Sequence, residues 1–385
     1  ANQTDVFAIG SNGQLHVAWV LGSGKWSGPV GLGPAGLFPP GAGVAASPQH
    51  GVANQTDVFA IGSNGQLHVA WVLGSGKWSG PVGLGPAGLF PPGAAVAASP
   101  QHGIANQTDV FAIGNDGRVH VAWVKGGGKW NGPVALGPAG LFPPGAGVVA
   151  SPQHGVVNQT DVFAIGGNGQ LHVSWVVGGG SWNGPVGIGA AGLFPPGAEA
   201  TASPQYGVAN QTDVFAIGSN GQLHVAWVVG GGRWNGPVGI GGARMLPPGG
   251  GVAASPQYGV ANQTDVFAIG NNGQLHVAWA KGGGKWNGPV GLIPPPEILI
   301  AARRDSRGPF IKVDGTGFSP GGAIVIDYRV TSGGSPTTTT SGSIGATANK
   351  SGAFTARIGV TAVGVTAAAV KATDSASKRS AKATL

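Results

Sequence analysis

The feature that most constrains this chain is a repeat of fixed length. Residues 1–52 recur with new copies starting at Ala53, Ala105, Val157, Ala209 and Ala261. Each copy reads close to NQTDVFAIGSNGQLHVAWV, then Trp-Ser/Asn-Gly-Pro-Val, then AGLFPPG and a closing VAASPQ(H/Y)GV. The differences cluster in turns, at Ser11-Asn12 and at residues 21–25 and their equivalents. A period of this size marks one supersecondary unit whose apolar face is covered by its neighbours.

Within a copy the pattern is short strands separated by turn signals. Residues 4–9 are β-branched and aromatic, and Asn12-Gly13 favours a tight hairpin. In residues 15–20, Leu15, Val17 and Trp19 share one face while His16, Ala18 and Val20 share the other. A Gly-rich turn at 22–24 leads to a third strand around 26–32. Phe38-Pro39-Pro40-Gly41 reads as a loop, because proline cannot join a strand ladder, and 44–49 reads as a fourth, small-residue strand. No segment offers a helix of useful length. Four short strands per copy at this spacing predict an all-β protein, a β-propeller of four-stranded blades. The small-residue strands suit the crowded central channel, and the aromatic strands suit the space between blades. A solenoid β-helix is the alternative, though its coils are shorter.

Composition fits that reading. The 76 Gly and 30 Pro supply turns rather than disorder, since 42% of residues are hydrophobic, with 12 Trp and 13 Phe. The absence of Cys excludes a disulfide framework and any thiolate metal site. No apolar run approaches the roughly 18–20 residues of a membrane span, so membrane insertion is not expected. The net charge of +7 would suggest nucleic acid were it spread over the chain. Residues 1–292 hold nine Lys/Arg against eight Asp/Glu, whereas 293–385 hold eleven against five. The basic excess belongs to the C-terminal part, and no nucleic-acid partner is expected.

The runs Asp5-Val6-Phe7-Ala8-Ile9-Gly10, Asn12-Gly13-Gln14-Leu15, Trp19 and Trp26-Ser27-Gly28 resemble the repeat of bacterial propeller lectins of the Photorhabdus type, related in style to tectonins and fungal fucose-binding propellers. The resemblance covers all six copies and implies a seven-bladed ring with sugar pockets between blades, specific for fucose or related sugars. Where that repeat commonly has Arg, this chain has Ile9, Ile61, Ile113, Ile165, Ile217 and Ile269. Six sets of the first three strands are present but five copies of the fourth, so a six- or seven-bladed ring is expected, with earlier repeats lost upstream.

The repeat stops at a Pro-rich linker, 293–296, after the propeller at 1–292. Residues 297–385 alternate like a small β-sandwich. Their Gly315-Thr316-Gly317-Phe318-Ser319-Pro320-Gly321 turn resembles that of bacterial immunoglobulin-like surface modules, which implies a spacer or attachment unit.

Three groups of residues are candidates for ligand binding. Indole faces stack on the apolar side of sugars; Trp26, Trp78, Trp130, Trp182, Trp234 and Trp286 follow flexible turns and suit such platforms. Their companions within each copy, Trp19, Trp71, Trp123, Trp175, Trp227 and Trp279, read as core between blades. His16, His68, His120, His172, His224 and His276 are either sugar hydrogen-bonding groups or rings packed between blades. His50, His102, His154, Tyr206 and Tyr258 close the small-residue strand and are either ligand contacts or caps of a loop.

Asp5, Asp57, Asp109, Asp161, Asp213 and Asp265 sit one per copy, which cannot supply the converging carboxylate pair of a glycoside hydrolase; they are expected to accept turn N–H bonds. Asn2-Gln3-Thr4 and its repeats match glycosylation sequons but read as polar turns. No metal site, cofactor or catalytic constellation is expected. The expectation is a secreted or cell-surface, bacterial, multivalent binder of glycans or glycoconjugates on cell surfaces, not an enzyme. A non-catalytic adhesion scaffold is the alternative, and an accessory part of an enzyme with its catalytic domain upstream is a further one.

Overall fold

The computed structural model describes the whole chain except residues 1–2, 75, 293–295, 320, 333–336, 351, 361–364 and 376–379. The linker expected at 293–296 therefore lies outside the described residues save for Pro296, as do Pro320 of the Gly-rich turn and Asn2 of the first sequon. Two compact units are present: Ala1–Ala268 with Val277–Pro289, and Ile269–His276 with Val290–Leu385.

In the first unit, β1 (Gln3–Ile9), β2 (Leu15–Leu21) and β3 (Ser27–Leu32) form a three-stranded antiparallel sheet. Next, β4 (Ala45–Pro48), β5 (Gln55–Ile61), β6 (Leu67–Leu73) and β7 (Ser79–Leu84) form a four-stranded sheet in that order. Equivalent four-stranded sheets begin at the strands Val96–Pro100, Val148–Pro152, Ala200–Pro204 and Val252–Pro256. The blade is thus out of phase with the repeat: its first strand, such as β4, closes one copy, and the other three open the next.

The strands form for local reasons. QTDVFAI is β-branched and aromatic, and it pairs residue for residue with LHVAWVL, Gln55 opposite Leu73 through Ile61 opposite Leu67. The register slips between Val69 and Trp71, where the β6–β7 pairing bulges. Gly80 makes the bulge possible: its φ is +80°, and a Cβ there would sit 2.6 Å from the Val69 carbonyl oxygen.

The core lies between sheets. Phe59, Ile61, Leu67 and Val69 of one sheet pack on Val110, Ala112 and Ala122 of the next, and such a cluster recurs at each successive pair. Ile61, Ile113, Ile165 and Ile217 are completely buried and fill this seam. Gly85 comes so close to the Pro133 ring that any side chain would collide with it. The small-residue strands neighbour one another, and Gly43, Val44, Ala95, Val96, Gly147, Val148, Glu199 and Ala200 surround a space of about 210 Å³. Sheets stacked face to face with their first strands around a central space make this unit a β-propeller.

The second unit contains a three-stranded sheet, Glu297–Asp305, Gly308–Thr316 and Phe354–Gly359 in that order. A four-stranded sheet orders Thr338–Thr347, Ala323–Ser332, Val365–Asp374 and Ser380–Thr384. Alternate residues of both, among them Ile311, Val313, Ile324, Ile326, Ile358 and Val370, form one hydrophobic core. Among the described residues no helix is long and apolar enough to cross a membrane.

Candidate functional site

The tryptophans meet across copies rather than within them. Reading each copy alone couples Trp227 with Trp234, but the structure brings Trp227 to Trp286 of the following copy. Trp19 with Trp78, Trp71 with Trp130, Trp123 with Trp182 and Trp175 with Trp234 share clusters in the same way. The bulged third strand carries the second tryptophan of each pair back against the preceding sheet. There it meets a phenylalanine edge to face, as in Phe59–Trp130, whose centroids are 5.4 Å apart and planes at 75°. Both indoles remain half-buried, the Trp19 type included.

Between Trp227 and Trp286 lies a cavity of about 490 Å³. Its walls are Gln205, Gln211, Val225, Val238, Ile240, Lys285 and the backbones of Gly239, Gly241, Gly283 and Gly284. Two flat apolar faces with a few converging polar groups describe a small-molecule site. Gln205 and Gln211 enter from strand ends that face each other across the Tyr206–Asn210 loop. The Nε2 amide of Gln211 donates to Oδ1 of Asp213 (2.7 Å) and to Oε1 of Gln205 (3.0 Å). Gln205 in turn donates from Nε2 to the carbonyl of Gly282 on the next sheet (2.6 Å). The same relay recurs through Gln159, Asp161, Gln153 and Gly230. It recurs again through Gln107, Asp109, Gln101 and Gly178, and through Gln55, Asp57, Gln49 and Gly126.

The aspartates are therefore not turn acceptors. Asp57, Asp109, Asp161 and Asp213 lie in mid-strand, fully buried, and among the described residues their Oδ2 atoms have no hydrogen-bond partner. Burial pushes Asp109, Asp161 and Asp213 up to about 7 and Asp57 to about 6, against the opposing pull of the glutamine hydrogen bond.

The strand histidines lie elsewhere. His68, His120, His172, His224 and His276 are buried, and His16 is half-buried. Nδ1 of His68, His172 and His224 lies 2.9 Å from the carbonyl oxygen two residues earlier, and His120 instead bonds Asp116 through Nε2 at 3.0 Å. Phe38, Phe90, Phe142 and Phe194 of the preceding copy pack edge to face on His68, His120, His172 and His224. Burial lowers His68, His172 and His224 below the usual imidazole range. These rings are packed between sheets, which favours the second of the two readings, and none of them lines the cavity between Trp227 and Trp286.

His50, His102, His154 and Tyr206 stand apart again, at the ends of the first strands. Their backbone N–H groups donate to Thr108, Thr160, Thr212 and Thr264 of the next sheet at 2.7–2.9 Å. His50 and His102 border a separate hollow of about 400 Å³, while Tyr258 is 89% exposed. Sequence reasoning missed Gln205, Gln211 and Trp227 as wall residues. The signal available was the spacing: two glutamines six apart, bracketing a tight loop between antiparallel strands. Among the described residues no group of three or more His, Asp or Glu is placed to hold a metal ion.

No protein-family profile and no curated protein matches the chain. The BP39L lectin from Burkholderia pseudomallei is similar, at 52% identity over 82% of this chain and 92% of its own, with a TM-score of 0.75. The chain belongs to the β-propeller lectins. A triple mutant of AofleA from Arthrobotrys oligospora shares the lectin's fold at 15% identity, over 75% of this chain and 84% of its own, with a TM-score of 0.53. The SapL1 lectin, solved with α-methyl fucoside, does so at 18% identity, over 76% and 93%, with a TM-score of 0.51. Carbohydrate binding, not catalysis, is the activity of this chain, and glycans are its partners.

Proposed function

We propose that the lectin holds its sugars in the grooves between successive sheets, each stacked against tryptophans from two copies. The observation that carries this is the cavity between Trp227 and Trp286, with two aromatic walls, two glutamine amides and no exposed carboxylate. A pyranose fits with an apolar face on an indole and its hydroxyls on the glutamines, Lys285 and the glycine backbones. Repetition makes the lectin multivalent, so weak sites engage glycan-dense surfaces together. The partners are glycoconjugates on cell surfaces, met by a secreted or surface-attached bacterial protein of the Photorhabdus type. The second unit serves as an immunoglobulin-like sandwich spacer, and the ring is six- or seven-bladed.

A glycan array tests this. Trp78, Trp130, Trp182, Trp234 and Trp286 replaced together by Ala are expected to lower array signals at least tenfold while the fold persists by circular dichroism. Undiminished signals from that folded variant contradict the groove as the sugar site.

A further inference from the structure

The two sheets of the second unit carry their charge differently. On the three-stranded sheet the acids neutralise the cations beside them. Asp305 pairs with Arg357 at 3.0 Å and with Arg307 at 3.4 Å, and Asp314 pairs with Lys312 at 2.7 Å. The four-stranded sheet lacks this balance. Strand alternation leaves Asp327, Arg329, Lys371 and Lys382 exposed on its outer face, while Ile326, Val370, Ala372 and Ala381 point into the core. Lys371 and Lys382 stand directly opposite each other across their strand pair, where like charges repel. Asp327 faces Lys371 from the other side, but its Oδ1 accepts from the Ser343 hydroxyl. Among the described residues none of Arg329, Lys371 and Lys382 forms an ion pair.

Ala369 lies between Arg329 and Thr384 in the sheet. Its small side chain leaves room for a hollow of about 330 Å³ bordered by Arg329, Lys371, Lys382, Asp327 and Thr384. An anionic group entering it meets three cations, one of them a guanidinium fork suited to paired oxygens, and it relieves the repulsion between the two lysines. Toward the edge strand Thr338–Thr347 the face continues in hydroxyls, with Ser341 beside Arg329 and Thr339 beside Thr331.

We propose that this face binds an acidic polysaccharide, whose sulfate or carboxylate groups are held by Arg329, Lys371 and Lys382 and whose hydroxyls meet the Ser and Thr side chains. Single-stranded nucleic acid suits it less, because the outward positions of these strands carry no aromatic ring on which a base stacks. Val325 is the large apolar side chain exposed there, which is too little to enter a bilayer. The site is independent of the tryptophan grooves, and it gives the second unit a binding role beside that of a spacer.

The test measures binding of the full chain to immobilised dextran sulfate and polygalacturonate. Dextran, the same backbone without the charge, is the reference. Wild type is expected to bind both acidic polymers more tightly than dextran, and to lose at least tenfold in affinity between about 50 mM and about 300 mM salt. Arg329→Gln with Lys371→Gln and Lys382→Gln is expected to weaken binding to both polymers at least tenfold and to leave any binding to dextran unchanged. Arg303→Gln with Arg304→Gln and Lys350→Gln removes the same charge from exposed positions elsewhere in the unit, and is expected to cost less than threefold. Equal losses from the two triple variants overturn the proposal, as does wild-type binding no tighter to the acidic polymers than to dextran. Tighter binding to phosphatidylserine vesicles or to oligothymidylate, abolished by the first variant, overturns the choice of ligand. Should that variant fail to fold by circular dichroism, Lys371→Gln alone decides: a loss of at least threefold supports the site, and an unchanged affinity overturns it.

Discussion

The strands β1 and β5 have the same sequence, QTDVFAI, and different surroundings. In β1, Val6 is 52% exposed and Asp5 half-buried; in β5, Val58 is 1% exposed and Asp57 fully buried. The third-strand tryptophans differ in the same way, with Trp26 exposed and Trp78 half-buried against Phe7. Identical residues become core, raised acid or groove wall only where another sheet lies against them. The properties that matter for binding therefore belong to the seam between copies, not to the copy.

The largest way to break this comparison is at the phenylalanine. Phe111→Ala, at a fully buried site, is expected to cost about 3–5 kcal/mol. Phe7→Ala, at a half-buried site, is expected to cost less than half as much, and denaturant unfolding measures both. Equal losses would mean that the seam contributes nothing special.

The next effect is on pH dependence. The folded values of about 6 to 7 lie above the ordinary 3.8, so the folded state keeps protons that the unfolded chain releases. The contribution of these acids to stability is therefore fully present below about pH 4, is lost as pH rises to about 7, and is level above that. Asp109→Asn is expected to flatten this slope in the melting temperature. The smallest contrast is at valine: Val58→Ala is expected to cost about 1–2 kcal/mol and Val6→Ala close to nothing.

Much of the fold was legible because period-two alternation and turn residues recur at one spacing, and the structure places a strand at each expected segment. The phase was not legible, since a repeat has no intrinsic start. That β4 joins the strands of the next copy is decided by packing around the axis. The tryptophan pairing failed for the same reason, because it crosses the copy boundary. Trp227 read as core since it alternates with Leu223 and Val225, and it does pack there while its remaining surface walls the cavity. Asp213 looked like a turn residue by type, although its neighbours Thr212 and Val214 already marked it as mid-strand. A histidine on a strand between apolar neighbours was ambiguous until the Phe194 ring was seen to cover His224.

The most direct test of the central claim is a crystal structure of the lectin with a bound methyl glycoside identified by the array. The account predicts sugar density between Trp227 and Trp286 and at the equivalent pairs, with ring carbons on an indole and hydroxyls on the paired glutamines. Sugar confined to the hollow beside His50 and His102, or to the second unit, with these grooves empty, would contradict it.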